Sequence, residues 1–404
     1  MLRRQLLPAP AALAALAALA LAVPASAQQA PAQAPAAPEL IVEKKSFEIP
    51  RFVTQNGQAI PRMRIGYQMA GSLNGAGDNA VLITHFFSGN SHAFGRYAAG
   101  GPAGYWDAII GPGKPIDTTK YFVIAADTPV NLNTRDPSTI TTGPASTNPD
   151  TGRPWGLDFP VVTMRDFVET QKLLLDRLGV RRLALVAGAS MGALQAIEWA
   201  AAYPDRVDRV MSVIGTDRAD GWTIGWLELW AAPIRLDPNW RDGTYHGGTE
   251  PVTGLAEALR LVTLHARDPG WAATIGVRFA EGQDPRRSVR ERFAMEKWLD
   301  DAAMARARVS DANHFLYLVR ANQLFLSGYD TPEAAYARSR ARWLIVPSVT
   351  DRLFPIENNR RLADLLRSQG RQVETFELNG PLGHLEGVVS MAKAGDAIRR
   401  LLAH

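Results

Sequence analysis

The run Gly188-Ala189-Ser190-Met191-Gly192 is the stretch of this sequence best suited to chemistry. It follows an apolar segment, Leu183–Ala187, and leads into an amphipathic one, Gly192–Tyr203. A serine flanked by glycines at a strand-to-helix corner is a nucleophile elbow. The turn is sharp, the flanking chain must approach closely without side chains, and Ser190 is held out at the top of a sheet. A helix starting behind it favours negative charge developing at the site. A serine hydroxyl is a weak nucleophile until a base takes its proton. With elbows of this kind the acid and base follow in the order serine, carboxylate, histidine. Asp351 stands just past the apolar run Trp343–Pro347, and His384 stands in Gly380-Pro381-Leu382-Gly383-His384, past a run ending at Leu378. Strand ends are where the sites of parallel sheets gather. The expected roles are attack on an acyl carbonyl by Ser190, proton transfer by His384, and orientation of His384 by Asp351. An oxyanion hole needs two N–H donors: Met191, directly after the nucleophile, and Phe87 in the loop His85-Phe86-Phe87-Ser88-Gly89, where the register is open by one residue. The other histidines, His85, His92, His246, His265, His314 and His404, lack that placement, and none has the H-E-x-x-H spacing of a metal site.

Positioning these groups requires an alternation of strands and helices. Strand-like runs are Arg62–Ala70, Ala80–His85, Tyr121–Ala126, Leu183–Ala187, Val210–Ile214, Trp343–Pro347 and Val373–Leu378. The interior ones are almost continuously apolar, as parallel strands covered on both faces are. Helical patterns fall at Met164–Leu178, Gly192–Tyr203, Glu357–Gln369 and Val388–Ala403. The expected fold class is α/β, a mostly parallel central sheet with helices on both faces. The rhythm breaks after Thr216. Residues 216–330 are mainly helical and hold six of the ten tryptophans, Trp222, Trp226, Trp230, Trp240, Trp271 and Trp298. They are expected to cap the strand ends, most of the tryptophans serving as helix-packing core and one or two lining a pocket. Residues 46–215 and 331–404 are then the two parts of the core.

Composition narrows the function. With 404 residues, 46% of them hydrophobic, the chain can bury a large core. It has no cysteine, which excludes disulfides, thiolate metal sites, iron–sulfur clusters and a cysteine nucleophile. A formal charge of +4 with no dense Lys/Arg tract gives no nucleic-acid footprint.

The first 27 residues read as a signal peptide: Arg3 and Arg4, an apolar run from Ala11 to Val23, and a small-residue cleavage site at Ala25-Ser26-Ala27. The run is too short to span a bilayer comfortably. Residues 28–45 read as a flexible leader. The expected location is the periplasm or the exterior, with no stable membrane anchor after cleavage.

The same residues resemble the homoserine O-acetyltransferase branch of the α/β hydrolases. His85-Phe86-Phe87-Ser88-Gly89 is similar to that family's H-A-L-T-G loop, and Trp106 to Thr118 to its W-D-x-x-I-G-P-G-x-x-I-D-T segment. Thr142–Ser146 and Gly156–Pro160 are similar to its T-G-P-A-S and G-L-D-F-P stretches, and Ser190 stands in its G-x-S-M-G-x-x-Q-x-x-E-W pattern. Asp351-Arg352-Leu353-Phe354-Pro355 and Gly383-His384 resemble its acid and base motifs. The resemblance implies the α/β-hydrolase fold and acyl transfer through a serine. It also marks two departures. The family places an Arg for the substrate carboxylate where Ala231 stands, and an Asp for the substrate amine where Leu385 stands. Burying a zwitterion without such partners is costly; Arg235 or Glu386 would be the nearby substitutes.

The expected function is therefore an exported serine hydrolase acting on an ester or related acyl bond of a small-molecule substrate. The alternative is O-acyl transfer of the homoserine O-acetyltransferase type, and the third reading is a binding protein that keeps the fold. The chemistry needs no metal and no organic cofactor, and self-association as a homodimer is left open.

Overall fold

The structure, a computed structural model, describes residues 39–403. The signal-peptide assignment and residues 28–38 of the leader lie outside the described residues.

An eight-stranded sheet forms the centre, in the order β1-β2-β6-β3-β7-β8-β9-β10. Its strands are β1 (Lys45–Val53), β2 (Ala59–Ala70), β3 (Ala80–Thr84), β6 (Phe122–Ala126), β7 (Leu183–Ala189), β8 (Arg209–Val213), β9 (Arg342–Val346) and β10 (Val373–Thr375). The short strands β4 (Ile110–Gly111) and β5 (Ile116–Asp117) pair only with each other. β1, β2 and β6 run antiparallel to their neighbours in turn, and from β6 to β10 every pairing is parallel. β3, β6 and β7 are buried at every position, which explains why their sequences are apolar without alternation. Alternation survives in what each side chain meets. Leu82, Ile124 and Val186 join one core with Phe167 and Trp199. Val81, Ile83, Val123 and Leu185 join a second core with Ile398 and Leu401.

The helices are α1 (Met164–Arg177), α2 (Met191–Ala202), α3 (Gly221–Leu236), α4 (Val252–His265), α5 (Pro269–Ala272), α6 (Ala294–Ala307), α7 (Ala312–Gln323), α8 (Pro332–Arg338), α9 (Ile356–Ser368), α10 (Glu386–Val389) and α11 (Gly395–Ala403). α1 starts at a capping box in which Thr163 and Asp166 bond reciprocally. Helices α3 to α7 lie between β8 and β9 and contribute no strand to the sheet. Among the described residues no helix is long and apolar enough to cross a membrane.

Three sequence expectations change. β1 was not expected: its alternation is imperfect, and it is pairing with β2 and packing against the core that includes Phe167 that bury Ile49 and Phe52. The expected helix Val388–Ala403 is broken at Ser390, followed by a 3₁₀ turn over Met391–Ala394. Met391, Ala394, Ile398 and Leu401 still face one core, so the periodicity carries no trace of the break. β10 ends at Thr375, and pairing resumes only as a single bridge between Ser348 and Leu378. The tryptophans also divide: Trp226 and Trp230 are buried, whereas Trp222 is 76% exposed on the outer face of α3.

Candidate active site

Ser190 sits between β7 and α2 with φ 55° and ψ −121°. A non-glycine residue rarely holds a positive φ, and the strain costs roughly 1–3 kcal/mol unless the surroundings impose it. Here they do. The Ser190 N–H donates to the Val213 carbonyl at 2.9 Å. Thr84, at the end of β3 and opposite Gly188, donates from Oγ1 to the carbonyl of Gly192 at 2.8 Å. A Cβ on Gly188 would lie 2.2 Å from Thr84 Oγ1, and one on Gly192 2.2 Å from the Thr84 carbonyl oxygen. Both glycines of the elbow are thus explained by one residue of the neighbouring strand.

The structure brings the three expected side chains together. His384 Nε2 is 2.7 Å from Ser190 Oγ, and Nδ1 is 2.6 Å from Asp351 Oδ2. A carboxylate only accepts, so Nδ1 carries the proton and Nε2 is free to accept from the serine. Asp351 is fixed through its other oxygen, which accepts from the N–H groups of Leu353 and Phe354 at 2.8 and 3.0 Å. All three residues are buried. Thr350 ties the two loops together, donating to the Gly380 carbonyl at 2.7 Å and accepting from the Gly383 N–H at 3.2 Å.

Met191 opens α2, where the N–H groups of the first turn have no partner within the helix. Neither the Met191 N–H nor the Phe87 N–H donates to another group among the described residues. The orientation of the second is set by His85, which does more than pack. The Phe86 carbonyl accepts from His85 Nδ1 at 2.8 Å and from the Gly89 N–H at 2.9 Å. His85 Nε2 in turn accepts from the Thr128 N–H at 3.1 Å and lies 3.2 Å from Asn131 Nδ2. This donor and acceptor pattern requires a neutral imidazole, and burial pushes its pKa down. The sequence offered no signal for this role beyond proximity to the loop.

Aromatic rings connect His384 to Phe87. The Phe354 ring is 5.6 Å from that of His384, Trp226 is 6.0 Å from Phe354, Trp230 is 4.6 Å from Trp226, and Phe87 is 5.8 Å from Trp230. Ala231 is fully buried in the same helix as the two tryptophans. The two substitutes considered for the lost charges are engaged elsewhere. Arg235 pairs with Glu228 at the surface. Glu386 is buried, holding the Leu382 N–H at 3.2 Å and Lys393 Nζ at 3.4 Å.

The family model described as the alpha/beta hydrolase fold matches residues 80–388. Homoserine O-acetyltransferase of Symbiobacterium thermophilum is 38% identical over 355 residues, covering 87% of this chain and 91% of that protein. This chain belongs to the homoserine O-acetyltransferase-like branch of the α/β hydrolases. The corresponding enzyme of Desulfotalea psychrophila is 36% identical, covering 90% and 95%. Among solved structures, homoserine O-acetyltransferase from Bacillus anthracis matches with TM-score 0.86 at 35% identity, covering 90% of this chain and 98% of that one. Esterase E22 matches with TM-score 0.86 at 47% identity, covering 90% and 100%. The protein is an enzyme of a branch whose members carry both transferase and esterase names.

Gln195 donates to the His85 carbonyl at 3.2 Å and accepts from Gln171 at 2.7 Å. Trp199 donates to Gln171 at 2.7 Å, and Glu198 pairs with Arg165 at 2.7 Å. These side chains brace the elbow helix against α1 and the Phe87 loop. Among the described residues no group of three or more acidic or histidine side chains could hold a metal ion.

Proposed function

We propose that this α/β hydrolase is a serine acyl hydrolase that cleaves an ester or related acyl bond through an acyl-enzyme on Ser190. His384 takes the serine proton as the hydroxyl attacks the carbonyl, and Asp351 steadies the resulting imidazolium. The negative charge on the carbonyl oxygen is received by the N–H groups of Met191 and Phe87. His384 then returns the proton to the leaving alcohol, and a water activated by the same histidine frees the acid.

The observation that carries this reading over acyl transfer to an amino acid is the pair Ala231 and Leu385. Both are apolar where the family's amino-acid clamp is charged, and Arg235 and Glu386 are committed to other partners. The rings of Trp226, Trp230, Phe87 and Phe354 favour an apolar acyl group. Esterase E22, at 47% identity, supports the same reading. Export through the leader belongs to the proposal, because an exported enzyme meets water rather than cytosolic acetyl-CoA.

A second reading is O-acyl transfer of the homoserine O-acetyltransferase type, and the names of the curated relatives support it more directly than they support hydrolysis. One assay separates the two. Purified protein is given a chromogenic short-chain acyl ester, and separately acetyl-CoA with homoserine. The expected result is ester turnover that is lost in Ser190→Ala. Homoserine-dependent thiol release overturns the hydrolase reading in favour of transfer.

A further inference from the structure

Two cationic side chains of the helical insertion, Arg267 just after α4 and Arg306 on α6, meet no carboxylate among the described residues. Both are only partly exposed. They converge on one residue: Arg267 donates to the Thr263 carbonyl at 2.6 Å, and Arg306 to Thr263 Oγ1 at 2.8 Å. A guanidinium has five N–H donors, and Arg267 Nε is buried without an acceptor. The Arg267 guanidinium lies over the rings of Trp271 and Trp298, 4.7 and 4.9 Å from their centroids. The two ring centroids are themselves 4.8 Å apart, so both tryptophans lie on the same side of the guanidinium rather than on opposite faces, and they offer its N–H groups no carboxylate.

Acidic residues on α4, on α6 and beside Arg267 are engaged with other groups. Asp300 takes Arg260 and Arg292, Glu257 takes Arg260, and Asp301 takes Lys297. Asp268 is turned toward the Gly270 N–H and Arg352. Two like charges held together without a counter-ion are unfavourable in a partly buried place. Burial lowers the pKa of both arginines, and Arg267 adds to the effect on Arg306, but at about 10 each they stay charged at neutral pH.

The backbone of Arg267 also packs against the loop that bears His384. Gly383 has φ +67°, and a Cβ there would lie 2.9 Å from the carbonyl carbon of Arg267. Gly383 immediately precedes His384. A Cβ on Gly270 would in turn lie 3.1 Å from Pro381 Cβ. The turn that bears Arg267 is thus packed on the loop that bears His384.

We propose that Arg267 and Arg306 form a subsite for an oxyanion, a carboxylate or phosphate, carried at the end of the substrate remote from the scissile bond. Guanidinium pairs match such groups because two parallel N–H donors meet two oxygens. The occupant's place on the substrate rests on the acyl-hydrolase reading above; the subsite itself does not.

The test measures binding without turnover. Succinate and inorganic phosphate are titrated calorimetrically into Ser190→Ala protein, alone and combined with Arg306→Met, Arg306→Lys or, as a surface control, Arg287→Gln. The expected result is saturable binding of one anion that weakens about tenfold or more in Arg306→Met, the loss of a charge-assisted hydrogen bond. Arg306→Lys should keep part of it and Arg287→Gln all of it. Tighter succinate assigns a carboxylate, and tighter phosphate assigns a phosphate. Absence of binding, or equal binding with and without Arg306, overturns the subsite. In the otherwise native enzyme, the preference for 4-nitrophenyl hemisuccinate over 4-nitrophenyl acetate should fall about tenfold in Arg306→Met. A native enzyme that binds the anion but cleaves neither ester leaves the subsite standing and removes the hydrolase reading.

Discussion

The ring of His85 donates from Nδ1 to the carbonyl oxygen of its own neighbour, Phe86, at 2.8 Å. A trans peptide sets its carbonyl and its N–H on opposite sides, and the chain has no cis peptide among the described residues. Holding the Phe86 carbonyl therefore aims the Phe87 N–H the other way. His85→Ala should lower kcat by a factor on the order of 10², the effect of losing one oxyanion donor, while KM changes little. Steady-state kinetics with a short-chain ester read the split. A rise in KM with kcat intact would mean that His85 shapes binding instead.

Asp351 uses one oxygen for His384 and the other for two backbone N–H groups. Asp351→Asn keeps an acceptor for the backbone but offers His384 no charge and permits the wrong tautomer. The variant should stay folded, with kcat down by a factor on the order of 10⁴, as for the corresponding change in a serine protease. Circular dichroism alongside the kinetics checks it; near-native turnover would remove Asp351 from the mechanism.

Gly192 faces the Thr84 carbonyl so closely that an added Cβ would lie at 2.2 Å. The obstruction is backbone at the end of a central strand, which cannot rotate away. Gly192→Ala should cost about 3 kcal/mol, at the upper end of overpacking effects, and lower the melting temperature measurably. An unchanged melting temperature would contradict this account of the elbow.

Ala231 is fully buried and Leu385 half-buried. Ala231→Arg alone buries a charge without a partner and should destabilise the protein. With Leu385→Asp added, part of that loss should return if the two positions face a common pocket, giving a coupling energy of roughly 0.5–3 kcal/mol. A double-mutant cycle on denaturant midpoints measures it. Strict additivity would show that the two positions do not meet, and would weaken the argument that a clamp has been lost here.

Burial pushes His85 and His314 below the usual histidine value of 6.5. Each binds a proton more weakly in the folded than in the unfolded chain. Between the two pKa values the unfolded state therefore holds more protons, and stability rises with pH. Stability is expected to fall as pH drops through 6.5 and continue falling toward the lowered folded-state values. Denaturant midpoints from pH 7.5 to 5 check this. The slope should shrink in His85→Gln, and an identical slope in that variant would assign the effect elsewhere.

Ser190, Asp351 and His384 were legible because each follows a strand-like run in the sequence, and their order along the chain is itself informative. The α/β alternation was legible because β3, β6 and β7 are buried on both faces. Other features belong to no local pattern. β1 depends on pairing with β2, and the break at Ser390 keeps the same face buried. The role of His85 depends on Thr128 and Asn131, which lie more than forty residues away. Arg267 and Arg306 are unremarkable letters until Thr263, Trp271, Trp298 and Gly383 are brought around them. By itself, the sequence determined which groups are available for acyl chemistry and that a parallel sheet would carry them, since residue type and local periodicity fix those properties. Tertiary structure alone decided which N–H groups stay free, which charges lack a counter-ion and which aromatic rings line the path from His384 to Phe87. Those are properties of distance between remote segments, and local periodicity contains no information about them.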